Sequence, residues 1–355
     1  VTDEPLGSHV LELQVAEVVE ETADARSLVF TVPDGVDIPP ERLRYAPGQF
    51  LTLRVPSDRT GSVARCYSLC SSPFTGDPMT VTVKRTEDGY ASNWLCDNAH
   101  PGMRIHVLAP SGTFVPKSLD ADFLLLAAGS GITPMMAICK SALAEGSGQV
   151  VLVYANRDEN SVIFSAALRD LAAKYPDRLT VVHWLESVQG LPTVAALTGL
   201  VRPYAAHDAF ICGPAPFMAA AEEALTNVGA PADRIHIEVF KSLESDPFAT
   251  VVVDYDEAGE GGEGPATAIV TLDGQTHEVT WPRSAKLLDV LLDKGLDAPF
   301  SCREGHCGAC AVVKKSGEVE MEVNDVLEQS DLDEGLILGC QARPLSDSVE
   351  VTYDE

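Results

Sequence analysis

Phe123-Leu124-Leu125-Leu126-Ala127-Ala128-Gly129-Ser130-Gly131-Ile132-Thr133-Pro134 reads as a buried strand that runs straight into a glycine-rich turn and the start of a helix. An unbroken apolar run without alternation suits a strand covered on both faces, as in a parallel sheet. The glycines permit the tight turn, the free N–H groups of a helix start attract phosphate, and proline is tolerated in a first helical turn. The stretch departs from G-x-G-x-x-G by ending in proline, but it has the strand-before, helix-after context that a dinucleotide turn needs. Further apolar strands over 150–154, 180–185 and 209–212 alternate with helical periodicity over 134–144, 165–174 and 217–228. That alternation predicts an α/β domain with a parallel sheet over residues 117–242. Gly129, Gly131 and Thr133 are its nucleotide-turn candidates. Cys212-Gly213-Pro214 ends a strand at the edge where such sheets place ligands. A thiol there can flank a nicotinamide; the plainer reading of Cys212 is a small packing residue.

Upstream, residues 1–116 hold short β-rich runs at 27–32, 49–55, 79–84 and 104–108, separated by glycine and proline, which predict an antiparallel β-barrel or sandwich. Arg65-Cys66-Tyr67-Ser68 closes one of its strands. A guanidinium bridges pyrophosphate, a phenol ring lies on an isoalloxazine and a hydroxyl bonds its edge, so the motif suits a flavin. By itself it also fits a surface arginine, a core tyrosine and a turn serine. Gly89-Tyr90-Ala91-Ser92 looks like a glycine-led helix start whose N–H groups and Ser92 hydroxyl suit a diphosphate. Lys84 is within reach of a phosphate on this reading, but the plainer reading is an exposed surface lysine beside a strand.

Downstream, residues 243–265 are rich in Asp, Glu and Gly and predict an acidic, flexible, self-repelling linker. Asp273-Gly274 between alternating runs predicts a hairpin, and 285–292 has helical spacing. Cys302, Cys307, Cys310 and Cys340 form C-x4-C-x2-C with a distant fourth cysteine, the plant-type [2Fe–2S] spacing. Gly305 and Gly308 allow the loop to curl so that backbone N–H groups face sulfur. Zinc also takes four such ligands, with His306 a possible substitute, but structural zinc motifs pair two C-x2-C units and only one occurs here. A zinc-stabilised regulatory or scaffold protein is the alternative of another class. The other cysteines, Cys66, Cys70, Cys96 and Cys139, lack ligand spacing and read as packing residues.

The 355 residues exceed one ordinary core, and the formal net charge of −28 leaves no basic face for nucleic acid or an anionic membrane. Residues 251–355 alone hold 23 Asp and Glu against 7 Lys and Arg, which marks a separate acidic module. No apolar stretch approaches the length of a membrane span, and Val1-Thr2-Asp3-Glu4 is unlike a secretory signal, so a cytoplasmic location is expected.

The order Arg65-Cys66-Tyr67-Ser68, Gly129–Pro134, Cys212-Gly213-Pro214 and Glu238-Val239-Phe240 resembles the ferredoxin–NADP reductase superfamily. With the C-terminal plant-type module it is similar to oxygenase reductases of the phenylacetate-epoxidase type. Residues 88–96, 239–247 and 324–338 are closely similar to the reductase components of 3-ketosteroid 9α-hydroxylases. The resemblance implies a multidomain chain: an FAD-binding β-barrel, an NAD(P)-binding α/β domain and, over 266–355, a β-grasp ferredoxin domain. It implies that Arg65, Tyr67, Ser68 and Ser92 hold FAD and that Thr133 and Cys212 lie beside the nicotinamide, while the motifs themselves add Gly89 to the flavin candidates and Gly129, Gly131, Gly213 and Pro214 to the nucleotide candidates. Glu238 and Phe240 match residues at the exposed flavin face, Phe240 as a ring that covers the isoalloxazine; otherwise it is an ordinary core residue.

The implied activity is transfer from NADH through FAD and the [2Fe–2S] cluster to a terminal Rieske-type oxygenase of steroid degradation, with a phenylacetyl-CoA epoxidase or another oxygenase as the alternative acceptor. NADH is expected over NADPH because Glu186-Ser187-Val188-Gln189 lacks an arginine for a 2′-phosphate, although Arg157 is a nearby basic residue. The acidic module implies a basic docking patch on the oxygenase.

Overall fold

The computed structural model describes residues 9–255 and 264–354. Six strands come first: β1 (Leu11–Thr22), β2 (Ala25–Thr31), β3 (Phe50–Ser57), β4 (Gly61–Ser68), β5 (Thr80–Lys84) and β6 (Arg104–Ser111). They pair antiparallel in the order β4-β3-β6-β1-β2-β5. Period-two burial, with Leu11, Leu13 and Val15 inward on β1, gives this sheet one apolar face. The sheet's two edges meet at a bridge between Leu69 and Val81, backed by Cys70 N–H donating to Thr80 O at 2.9 Å, which closes it into a barrel. The helix α1 (Tyr90–Asn98) lies against β5.

The second sheet is parallel throughout, built from β7 (Phe123–Ala128), β8 (Val150–Asn156), β9 (Leu179–Leu185), β10 (Asp208–Cys212) and β11 (Ile235–Glu238), in the order β11-β10-β7-β8-β9. Every residue of β7 is buried because helices cover both faces. The helices α2 (Ile132–Glu145) and α3 (Ser165–Lys174) pack into one core layer. A short α4 (Glu186–Gln189) follows β9, and α5 (Val194–Val201) and α6 (Ala215–Asn227) form the opposite layer. Strand order reverses between β7 and β10, so the turns after those two strands flank the crevice where doubly wound sheets bind ligands.

The third unit begins with the hairpin β12 (Ala266–Leu272) and β13 (Gln275–Trp281). Asp273 and Gly274 both have positive φ, 52° and 73°, as a two-residue turn of this kind requires. Then come α7 (Leu287–Asp293), β14 (Ala311–Ser316), β15 (Val319–Met321), α8 (Gln329–Asp333), β16 (Leu336–Leu338), β17 (Ala342–Pro344) and β18 (Ser348–Thr352). The mixed sheet β13-β12-β18-β14-β16, with β12 parallel to β18, buries Trp281, Leu287 and Leu291 beneath it.

The expected flexible linker is corrected over its first half. Residues 243–255 pack as a strap, with Leu243 and Phe248 buried in the core of the third unit. One carboxylate oxygen of Glu304 accepts from Glu244 N–H, Ser245 N–H and Ser245 Oγ, and Asp246 accepts from Ser62 Oγ of the barrel at 3.0 Å. Two apolar anchors and these bonds outweigh the repulsion that composition suggested. Asp256, Glu257, Gly259, Gly261 and Gly262 lie outside the described residues, as do residues 1–8. Among the described residues no helix is long and apolar enough to cross a membrane.

Candidate functional site

The loop between α7 and β14 brings the four patterned thiols together. Arg303, Gly305 and Gly308 all have positive φ, which curls the chain around Cys302. Glu304 N–H and His306 N–H then donate to Cys302 Sγ at 3.3 and 3.4 Å. Cys302 N–H approaches Cys307 Sγ at 3.5 Å, and Cys340 N–H approaches Cys310 Sγ at 3.4 Å. The four thiols form one connected group, Cys302 reaching both Cys307 and Cys340, and Cys340 reaching Cys310. Thiol hydrogen bonds from Cys307 and Cys340 pull Cys302 down, and one from Cys340 lowers Cys310. Among the described residues no three ligating side chains are placed to hold a single metal ion. Four gathered thiols with N–H donors turned toward sulfur fit a diiron centre. His306 turns away from the sulfurs: its Nδ1 lies 2.8 Å from Asp325, whose carboxylate also pairs with Lys241 at 2.6 Å.

On the barrel, Tyr67 and Ser68 end β4, Tyr67 partly buried against the barrel core and Ser68 buried. Arg65 donates through one guanidinium nitrogen to the carbonyls of Ala64 and Leu243, at 2.7 and 3.1 Å. Gly89 caps α1 without a side chain, so the helix opens on bare N–H groups. The Ser92 hydroxyl is not free there: it accepts from Thr86 N–H at 3.1 Å and braces the turn before the helix. Lys84 is likewise corrected. It is half-buried, 4.0 Å from Asp24, and extends to the Gly129 turn, where an added methyl would sit 3.4 Å from its Nζ. Asp24 also binds Arg157 at 2.8 Å, so Lys84, Asp24 and Arg157 tie the barrel to the parallel sheet. Local sequence holds no signal for this network, because its members lie on β5, on the turn after β1 and beyond β8.

The sheet crevice is equally defined. Cys212 pairs in register with Ala127 on one side and Glu238 on the other. A Cβ on Gly131 would stand 2.1 Å from the Cys212 carbonyl oxygen, so the turn after β7 touches the turn after β10 only because glycine is there. Tyr154 Oη donates to Gly129 O at 3.0 Å, and Thr133 Oγ1 to Ser130 O at 3.0 Å, which hold the turn's shape. Tyr154 was not among the sequence candidates. Gly213 and Pro214 follow Cys212 and lead into α6, whereas Phe240 stands half exposed just after β11.

Burial and the neighbouring Glu238 charge push the Cys212 thiol up, so it stays protonated at neutral pH. Burial also raises Glu238 to about 7. The folded protein therefore holds a proton there that the unfolded chain releases near its ordinary 4.5, so the contribution of Glu238 to stability declines from that pH to about 7 and is flat above. Glu238→Gln is expected to remove this component. The difference in urea midpoint between variant and wild type, measured from pH 4 to 8, should grow up to pH 7 and then level off.

Three family models match the chain: an oxidoreductase FAD-binding domain over residues 12–115, an oxidoreductase NAD-binding domain over 125–223 and a 2Fe-2S iron-sulfur cluster binding domain over 270–345. The chain is 81% identical over 355 residues to the 3-ketosteroid-9-alpha-monooxygenase ferredoxin reductase component of Mycolicibacterium smegmatis, covering 100% of each. The chain belongs to the ferredoxin reductase components of 3-ketosteroid-9-alpha-monooxygenases. More distantly, this reductase is 36% identical to a component of the 1,2-phenylacetyl-CoA epoxidase of Escherichia coli, covering 96% of this chain and 97% of the other. Its fold matches a solved phthalate dioxygenase reductase at TM-score 0.57 and 24% identity, over 97% of this chain and 98% of that one. The reductase is thus an oxidoreductase whose FAD, NAD and 2Fe-2S domains follow in that order along the chain.

Proposed function

We propose that this reductase takes hydride from NADH and delivers electrons singly to a terminal Rieske-type oxygenase that hydroxylates 3-ketosteroids. The observation that supports this best is the gathering of three cradles on one barrel. Lys84 joins the barrel to the nucleotide turn, and Gly308 of the thiol loop presses on Thr113 just after β6. FAD and the [2Fe–2S] centre, when bound, supply the conversion of a two-electron donor to one-electron delivery. Arg65, Tyr67, Ser68 and the N-terminus of α1 at Gly89 and Ser92 bind and orient the flavin. Gly129, Gly131, Thr133, Gly213 and Pro214 shape the nucleotide crevice. Cys212, neutral and small, packs at the reacting face, Glu238 holds a proton beside it, and Phe240 covers the open flavin face. Cys302, Cys307, Cys310 and Cys340 ligate the cluster.

NADH is the preferred donor on this reading. The 186–189 segment carries no arginine, and Arg157 is engaged by Asp24. Dependence on NADH agrees with a cytoplasmic location. The acidic module docks on a basic patch of the oxygenase.

The test mixes the purified reductase with oxygenase components and follows NADH oxidation against product. Turnover is expected with a 3-ketosteroid oxygenase, faster with NADH than NADPH, and falling several-fold between about 50 and about 500 mM salt as screening shortens. A preference for NADPH, coupling only to an epoxidase, or indifference to salt would each overturn the corresponding part.

A further inference from the structure

Thr52 on β3 is fully buried, and its Oγ1 lies 2.6 Å from Ser301 Oγ, itself only 1% exposed. These residues are 249 positions apart. Ser301 immediately precedes the first thiol ligand, Cys302. On the barrel side Thr52 stands in register with Cys66, whose Sγ is 3.4 Å from the same Oγ1. Cys66 lies between Arg65 and Tyr67 on the flavin strand. One hydroxyl pair, shut off from water, therefore connects the residue before a cluster ligand to the residue between two flavin-binding candidates.

A second contact fixes the orientation. Gly308 sits at φ 70° and an added Cβ would fall 2.5 Å from Thr113 Cγ2, so loop and barrel touch without room for a side chain. Around it, Ala64 and Leu108 of the barrel pack into the core of the third unit and His9 meets Phe300 edge-on at 4.8 Å, whereas the ion pair of Arg42 with Asp297, 3.4 Å apart, tolerates displacement and is screened by salt. A short hydroxyl bond inside a packed junction does not tolerate displacement in the same way.

We infer that Thr52 and Ser301 are positioning residues that pin the thiol loop to the flavin strand and so set the gap, occupied by Cys66, across which each electron passes. This rests on the function proposed above. Each passage removes one electron from flavin reduced by NADH and adds one to the oxidised cluster, and no covalent bond in the protein is made or broken. Because tunnelling falls exponentially with distance, a small widening of the junction slows this step and no other.

The experiment uses the holoprotein. Stopped-flow absorbance after mixing with NADH separates flavin reduction from cluster reduction, and amide hydrogen exchange is read over residues 49–55 and 300–308. For Thr52→Val we expect wild-type flavin reduction, cluster reduction slowed about tenfold or more, as a misplacement on the ångström scale would produce, and faster exchange in both segments. Thr52→Ser should restore both readouts. Ser301→Ala should reproduce the defect, and the double variant should add nothing to it, because both remove one bond. Wild-type cluster reduction in Thr52→Val overturns the inference, whether or not exchange changes, as does a Thr52→Ser variant that fails to recover. If Thr52→Val does not fold, Ser301→Ala decides by the same criteria. Failure of NADH to reduce the wild-type cluster through flavin would instead overturn the functional reading itself.

Discussion

Cys310→Ser is expected to lower bound iron and acid-labile sulfide to a small fraction of wild type and to cut NADH-driven delivery to a one-electron acceptor by at least about 100-fold. Reduction of a small dye that takes electrons at the flavin should persist. The reason lies in the gathering of the four thiols. Cys310 Sγ accepts from Cys340 N–H at 3.4 Å and is buried, so on the proposed ligation its loss leaves the cluster one thiolate short. A serine oxygen is a harder donor on a shorter arm and cannot take the sulfur's place without moving a loop held by the positive-φ residues Arg303, Gly305 and Gly308. Iron and sulfide analysis together with the visible spectrum checks the first part, and parallel assays with the two acceptor types check the second. Retained cluster with undiminished delivery would show that Cys310 is not a ligand.

Gly131→Val should slow reduction of the flavin by NADH about 100-fold while FAD content stays near that of wild type. A Cβ at residue 131 would lie 2.1 Å from Cys212 O and 2.8 Å from Gly213 N, both backbone atoms that no rotamer change can clear. The turns after β7 and β10 must then separate, and the crevice between them loses its shape. Barrel strand β4 is not part of that contact, so flavin binding has no reason to fail. Gly199→Ala is the matched control: its Cβ meets nothing within 4 Å on a helix, so activity should be unchanged and stability equal or slightly higher. Rapid-mixing measurement of flavin reduction against NADH concentration distinguishes slower transfer from weaker binding, and an undisturbed Gly131→Val rate would remove the crevice from the reaction.

Much of the architecture was legible because it is encoded locally. The run Phe123–Ala128 identified a strand covered on both faces, and Asp273-Gly274 identified a hairpin, since a short stretch of chain has few ways to satisfy its own backbone. The cysteine spacing likewise limits where three thiolates can point. The acidic strap was misread because charge density is visible in composition, whereas the burial of Leu243 and Phe248 depends on a partner surface elsewhere in the chain. Lys84 was misread for the same reason: an isolated lysine at a strand end looks solvent-facing until another domain covers it.

The chain's own order of residues thus determined the three folding units, the cysteine set proposed as cluster ligands and the chemistry that each unit can hold. Tertiary structure alone decided how the two turns of the parallel sheet meet, Gly131 against Cys212, and how the units meet, Lys84 against the Gly129 turn and Thr52 against Ser301. Turns and ligand spacings are settled by steric limits over a few residues. Contacts between residues far apart along the chain, such as Thr52 and Ser301 at 249 positions, exist only once the cores that carry them pack together, and no short-range pattern records that packing.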